Sequence, residues 1–141
     1  MSTIVLRQTK GSPLTHTEVD ANFNNLNGDK AGYIAGEGGT ISQTGNKSAE
    51  VILNDKKCGT ITMNNEEMTT NQIKFFTFTN NQIAATDIVV LNHASGGTAG
   101  KYVLNAAAAA GSAVITVTNI SAGSLSEAIV IRFAVIKATI T

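Results

Sequence analysis

The sequence predicts a mainly β protein in which an N-terminal arm and a short α-helix precede an antiparallel, jelly-roll-like β-sandwich. Two observations carry this prediction. After residue 40, eight short runs rich in Ile, Val, Thr and Phe recur between turn residues. Before residue 28, the apolar residues follow the spacing of a helix instead. The length of 141 residues suits a single compact domain with an appendage.

A capped helix is predicted over His16–Asn27. Thr15 and Glu18 fit the capping box, in which the Thr15 hydroxyl accepts a hydrogen bond from the Glu18 N–H and the Glu18 carboxylate accepts one from the Thr15 N–H. Asn27 and Gly28 supply the C-terminal stop, because glycine adopts a positive φ without strain. A helix of about three turns does not persist alone in water. Its apolar edge must therefore be covered.

This apolar edge consists of Val19, Phe23 and Leu26, spaced by four and then three residues. Two interpretations are open. In the first, the helix packs on the core of its own domain. In the second, which we favour, three helices form a short parallel bundle around a three-fold axis, and these residues are its seam. The second interpretation predicts a homotrimer with the seam as its trimerisation and attachment interface.

The glycine-rich stretch Asp29–Gly39 predicts a linker. We therefore divide the chain into an attachment segment (residues 1–28), a linker (residues 29–39) and a β-sandwich domain (residues 40–141). The strands of this domain are predicted at Thr40–Gln43, Ala49–Leu53, Gly59–Met63, Gln72–Thr79, Asp87–Asn92, Lys101–Leu104, Ala113–Asn119 and Glu127–Thr139.

Two segments of the sandwich domain carry a more specific prediction. The last strand, between Ala128 and Ala138, is apolar on both faces apart from Arg132 and Lys137. Such a strand is central in its sheet or is covered by a neighbouring subunit. The alanine run Ala106–Ala110 is too short to require a helix, and we expect a packed loop there.

The charge content excludes several classes of partner. Ten Lys and Arg balance ten Asp and Glu, so the net charge is zero and charged residues make up 14% of the chain. This balance provides no attraction to nucleic acid or to anionic lipid, and near-zero net charge favours self-association. No apolar run is long enough to insert into a membrane. The first residues lack the apolar stretch of a signal peptide, so we expect synthesis in a cytoplasm.

No catalytic residue, metal ligand or cofactor site is predicted. His16 and His93 are the only histidines and lie in different segments, and nothing marks a nucleophile with its base or a catalytic pair of acids. Asp20–Asn24 begins like a calcium-binding loop, but Asn25 stands where that loop needs glycine. Cys58 is the only cysteine, so an intrachain disulfide is excluded.

Two parts of the chain resemble bacteriophage virion proteins. TIVLRQTKGSPLTHTEVDANFNNLN, residues 3–27, is similar in its cap and its seam to the N-terminal segment of phage tail-fibre and tail-associated chains. GTITMNNEEM (residues 59–68), FTFTNNQIAATDIVVLNHASGGTAGKY (76–102) and GSLSEAIVIRFAVIKA (123–138) resemble a small β-domain of phage structural proteins. Together these stretches cover most of the chain.

This resemblance implies a non-enzymatic virion protein that is made in the host cytoplasm. We expect a short trimeric tail fibre, anchored to the tail or baseplate by its N-terminus and presenting a β knob to the host surface. The alternative is a capsid decoration or cement protein. Fibres that reach a distant receptor carry a long shaft between the N-terminal anchor and the knob, whereas here only the short linker separates these two parts. The implied partners are copies of itself, other tail, baseplate or capsid proteins, and a host cell-surface glycan or protein.

Phage knobs bind through loops on a rigid β scaffold. The resemblance therefore directs attention to the loops Asn92–Lys101 and Asn64–Asn71. The candidate host-contact residues are Asn92, His93, Lys101 and Tyr102.

Overall fold

The computed structural model of the chain describes residues 5–6, 10–28 and 38–138, and for residues 26–28 it describes the backbone alone. The helix α1 spans His16–Gly28. The strands follow as β1 (Gly38–Ser42), β2 (Val51–Ile52), β3 (Cys58–Thr62), β4 (Ile73–Thr79), β5 (Ile88–Ser95), β6 (Tyr102–Ala109), β7 (Ser112–Asn119) and β8 (Val130–Ile136). Each predicted strand corresponds to one of these, although the ends differ by several residues.

The strands form two four-stranded sheets, consistent with the predicted β-sandwich. Sheet A has the order β1-β3-β8-β5, and sheet B has the order β2-β4-β7-β6. Successive strands alternate between the sheets, except that β6 and β7 pair directly in sheet B. Most of the predicted linker, residues 29–37, lies outside the described part of the chain, and β1 begins at Gly38.

The prediction of an antiparallel sandwich is wrong for two strand pairs, and the sheets are mixed. β1 runs parallel to β3, and β2 runs parallel to β4. A parallel pair needs a crossover connection, and here the crossover is a strand of the opposite sheet. β1 and β3 approach each other closely: a Cβ added to Gly59 would lie 2.1 Å from the carbonyl oxygen of Gly39.

The prediction of a packed loop at Ala106–Ala110 is also wrong. Residues 106–109 belong to β6, which pairs antiparallel with β7 from Tyr102 opposite Asn119 to Ala109 opposite Ser112. The pairing overrides the poor strand propensity of alanine, because β7 is rich in β-branched residues and supplies a complete partner. Gly111, at φ +77°, makes the turn between the two strands.

Alternating side chains build the core between the sheets. In β4, Phe76 and Phe78 point inward and are buried, whereas Phe75 points outward. β8 is central in sheet A, between β3 and β5, which is the first of the two predicted alternatives. The rings of Phe78 and Phe133 meet across the interior, with centroids 4.7 Å apart and planes at 62°. Among the described residues, the buried core extends from Val51 to Val135 and contains no residue of α1.

A completely buried lysine ties three loops of the sandwich together. The Lys47 ammonium donates to the carbonyl oxygen of Asn64 and, at 2.7 Å, to that of Glu127. The Lys47 N–H donates to the Glu66 carboxylate at 2.8 Å, and Lys74 forms an ion pair with the same carboxylate. Burial lowers the pKa of Lys47, because desolvation disfavours the charged form.

Asn119 has the same linking role at the end of β7. Its amide nitrogen donates to the carbonyl oxygens of Met68, Thr69 and Gly123 at 2.8, 3.1 and 2.9 Å. Its side-chain oxygen accepts from the Ser121 N–H at 2.9 Å. Throughout the described residues, every buried side-chain nitrogen and oxygen atom has a hydrogen-bond partner, so the polar groups inside the sandwich do not leave a desolvation cost uncompensated.

We expect Phe133→Ala to lower the free energy of unfolding by roughly 3–5 kcal/mol, because it removes a buried ring and leaves a cavity. Phe133 is 3% exposed. The matched control is Ile136→Ala on the outward side of the same strand, which is 49% exposed and should change stability by about 0.5 kcal/mol. Denaturant unfolding measures both. Equal unfolding free energies for the two variants would contradict this assignment of the core.

Candidate functional site

An open cleft lies at one edge of the sandwich, where β5 borders sheet A and β6 borders sheet B. The loop of residues 96–101 joins these strands and crosses from one sheet to the other. The cleft has a volume of 330 Å³ and is lined by Leu91, Asn92, His93, Ala99, Gly100, Tyr102 and Leu104. A cavity of this size is at the lower end of the range for small-molecule sites.

Two aromatic rings form one side of the cleft. His93 of β5 and Tyr102 of β6 meet edge to face, with ring centroids 5.7 Å apart and planes at 85°. Such pairs are stabilised by the positive edge of one ring on the negative face of the other. The His93 Nε2 atom lies 2.6 Å from the carbonyl oxygen of Gly96. Since a carbonyl oxygen only accepts, Nε2 carries the proton in this contact.

The Glu127 carboxylate holds the cleft and its loop together. It accepts hydrogen bonds from the Thr98 N–H at 2.9 Å, the Thr98 hydroxyl at 2.7 Å and the Tyr102 hydroxyl at 2.8 Å. The hydrogen bonds from Thr98 and then that from Tyr102 lower the pKa of Glu127. Burial, followed by the hydrogen bond to Glu127, raises the pKa of Tyr102. The tyrosine therefore stays protonated and continues to donate.

Glycine is required where the loop leaves β5. Gly96 has φ +67°, a backbone conformation that glycine adopts readily and L residues rarely adopt. A Cβ on Gly96 would lie 2.4 Å from the carbonyl oxygen of Ala128. The loop therefore follows this path because residue 96 has no side chain, and the path brings Thr98 to Glu127.

The lining of the cleft carries no Asp, Glu, Lys or Arg. Glu127 itself faces Thr98 and Tyr102, and its oxygens are occupied by their hydrogen bonds. The polar residues of the lining are Asn92, His93 and Tyr102. This combination suits an uncharged ligand that offers hydrogen-bonding groups and some apolar surface.

Three of the four predicted contact residues meet in this cleft. Asn92, His93 and Tyr102 line it, whereas the neighbouring Lys101 is exposed and does not belong to the lining. The second predicted loop, Asn64–Asn71, contributes instead to the buried lysine contacts and to the hydrogen bonds of Asn119.

Sequence analysis missed Glu127, the residue that organises the cleft. It is 25 residues from Tyr102 and 29 residues from Thr98 along the chain. No local motif surrounds it, and a lone acid at the start of a strand is no signal for a loop contact. The glycine pair before Thr98 marked a loop but did not identify the group that the loop binds.

The second candidate region is the attachment segment. Its capping box is formed as predicted: the Glu18 N–H donates to the Thr15 hydroxyl at 3.2 Å, and the Thr15 N–H donates to the Glu18 carboxylate at 2.8 Å. The hydrogen bond from Lys10, followed by those from Thr15, lowers the pKa of Glu18 to about 2. The Asn22 amide donates to the Val5 carbonyl oxygen and accepts from its N–H, at 2.9 and 2.8 Å, so Val5 lies against the helix.

The predicted seam is only partly covered within the single chain. Val19 is half-buried, and Phe23 is 68% exposed. Leu26 belongs to α1, but its side chain lies outside the described part of the structure. The Phe23 side chain is thus largely exposed to solvent within the single chain.

Metal-binding clusters and membrane-spanning helices are two further features that bear on function. In residues 5–6, 10–28 and 38–138, no three His, Cys, Asp or Glu side chains group closely enough to hold a metal ion. No helix of the described chain combines the length and the apolarity that crossing a membrane requires.

Comparison of the chain with protein-family models, with curated proteins and with solved structures finds no match.

Acidification should loosen the 96–101 loop. Hydrogen bonding lowers the pKa of Glu127. The ionised carboxylate therefore stabilises the loop fully above pH 4.5, the ordinary pKa of the group. This stabilisation is lost as the pH falls through the lower pKa that Glu127 has in the folded protein. The amide NMR shift of Thr98, followed from pH 7 downward, should report this transition.

Glu127→Gln should abolish this acid transition of Thr98, because the amide does not titrate. Glu67→Gln, a change of an exposed acid in another loop, is the matched control and should leave it unchanged. A Thr98 transition that persists in Glu127→Gln would show that a different group holds the loop.

Proposed function

We propose that this protein is a phage virion structural protein: a short trimeric tail fibre attached to the tail or baseplate by its N-terminal segment. One observation carries the proposal. Among the described residues, the core of the sandwich is complete without α1, and Phe23 of α1 is 68% exposed. The helix is therefore not needed to close the sandwich core, and its aromatic side chain remains available to another chain.

In this proposal, Val19, Phe23 and Leu26 of three chains pack around a three-fold axis. The four-then-three spacing of these residues supports such a seam. The resemblance of residues 3–27 to the N-terminal segment of phage tail-fibre chains supports its use in attachment. The alternation of successive strands between the sheets supports the jelly-roll-like architecture, which we retain as part of the proposal.

The sandwich is the knob that contacts the host, and the cleft between β5 and β6 is its contact site. Asn92, His93 and Tyr102 would meet an uncharged group of a host cell-surface glycan or protein, with Lys101 beside them. The absence of Asp, Glu, Lys and Arg from the lining of the cleft supports this assignment. The protein acts in the virion as a structural component, not as an enzyme, and uses no cofactor.

A second candidate function is capsid decoration, with the arm bound to capsid subunits and the sandwich outside. The observation that favours it is the short connection. α1 ends at Gly28 and β1 begins at Gly38, so the sequence leaves no room for the long shaft of a fibre that reaches a distant receptor.

Antibody labelling of intact particles separates the two functions. An antibody raised against residues 40–141 and viewed by electron microscopy should label the tail or baseplate. Label spread over the head would establish the decoration function instead. Particles without label at either place would contradict both.

The role of the helix is tested by Phe23→Asp. The change puts three carboxylates into the proposed seam, where unpaired charge is costly and like charges repel. We expect the variant to keep its β-sheet circular dichroism and to be absent from assembled particles. Asn24→Asp adds the same charge at an exposed neighbouring position, so this control should still be incorporated.

Two results would contradict this role of the helix. Loss of the β-sheet signal in Phe23→Asp would show that the helix is part of the sandwich fold. Normal incorporation of Phe23→Asp into particles would place the attachment surface in the β-domain.

A further inference from the structure

No charged side chain points outward from the strands of sheet B. The Glu50 carboxylate lies at the β2 edge of this surface, where it accepts a hydrogen bond from the Thr79 hydroxyl at 2.5 Å. Side chains alternate between the inner and outer faces along β4, β6 and β7. This alternation, together with the pairing register, identifies the side chains that point away from the core. The residues of this face are Ile52, Ile73, Phe75, Thr77, Thr79, Val103, Asn105, Ala107, Ala109, Ser112, Val114, Thr116 and Thr118. We call this surface the B face.

Large apolar side chains are exposed across the B face. Phe75 is 64% exposed, Ile73 58%, Ile52 55%, Val103 49% and Val114 43%. They come from every strand of the sheet, so the apolar surface extends from one edge to the other. A soluble monomer rarely exposes so many large apolar side chains on one face.

Threonines fill the spaces between these apolar side chains. Thr118 lies between Ile73 and Val103 in the strand register, and Thr116 lies beside Phe75. A threonine hydroxyl can bond across a contact without bringing a charge into it. Another surface can therefore cover the centre of the B face while Glu50 stays in the solvated rim of the contact.

The outer face of sheet A differs in this respect. Arg132 is exposed on the central strand β8, with Thr60 opposite it on β3 and Asn92 opposite it on β5. Covering this face would bury a guanidinium that has no acid opposite it, and a buried unpaired charge is strongly destabilising. The charge beside the B face, that of Glu50, lies at the edge strand β2 and not on a central strand.

We infer that the B face packs against other copies of this same chain. Two copies of this face can meet with no charge at the centre of the contact and with Glu50 at its rim, whereas a charged partner would gain no opposite charge from the strands. Three strands of seven or eight residues, with the two residues of β2 beside them, cover roughly 400 Å² in projection. This is about half of the roughly 800 Å² per partner of a standard interface, so the B face adds to the seam on α1 and does not replace it.

This inference rests on the proposed trimer and adds a second interface to it. The seam on α1 joins the N-terminal segments, and the B face joins the sandwich domains. The zero net charge of the chain removes electrostatic repulsion between the copies.

A matched pair of substitutions tests the B face in the full-length chain. Val114, on the B face, is 43% exposed, and Val90, on the outer face of sheet A, is 46% exposed. By sedimentation equilibrium at micromolar concentration, wild type and Val90→Lys should have the mass of about three chains. Val114→Lys should dissociate to single chains at the same concentration, because it places several buried ammonium groups in the interface.

Circular dichroism establishes that each variant is folded. If Val114→Lys loses its β-sheet signal, Phe75→Lys replaces it, since Phe75 is the most exposed large side chain of the B face and its removal leaves the core intact. A folded B-face variant that keeps the wild-type mass would overturn the inference while leaving the trimeric fibre proposal in place.

Three other outcomes also decide the question. Dissociation of both Val114→Lys and Val90→Lys would overturn the inference, because the effect would not be specific to the B face. A B-face variant that stays trimeric but is missing from particles would assign the face to a different virion protein. A monomeric wild type would overturn both the B-face contact and the trimer, and particle labelling would still test the location in the virion.

Discussion

The contact between the inner faces of the two sheets is the interaction on which the rest of this structure depends. Phe78 and Phe133 meet across the interior, and their strands, β4 and β8, are interior strands of the two sheets. β5 and β6 are edge strands that hydrogen-bond to this central framework. The thickness of the core therefore sets the distance between β5 and β6. Core side chains far from the cleft, such as Phe78 and Phe133, thus help to fix its width.

Local patterning predicts where each described strand lies, although it misses the second half of β6. Burial on one face of a strand leaves an alternation of apolar and polar residues that is visible within a few residues. Local patterning was not enough to predict direction or partner. Whether β1 runs parallel or antiparallel to β3 depends on where the chain crosses between sheets, and no short window contains that information. The alanine run in β6 shows the same limit: its strand conformation comes from pairing with β7, not from its own propensity.

The candidate cleft was predictable in part. Asn92, His93 and Tyr102 flank a glycine-containing loop between two apolar runs, and such loops are where binding residues concentrate. Glu127 was not predictable, because its role depends on contacts with residues 25 and 29 positions away. Lys47 escaped prediction for the same reason. A lysine in a polar stretch gives no local sign that carbonyl groups from two other loops will enclose it.

The close approach of β1 and β3 affects how the sequence can change over evolutionary time. Apolar core positions accept exchanges among Ile, Leu and Val when neighbours repack, so their identities are lost early as sequences diverge. A side chain at Gly59 would collide with the backbone at Gly39, and one at Gly96 with the backbone at Ala128. Distant relatives of this chain should therefore be recognisable by the spacing of such glycines after most of their core residues have been exchanged.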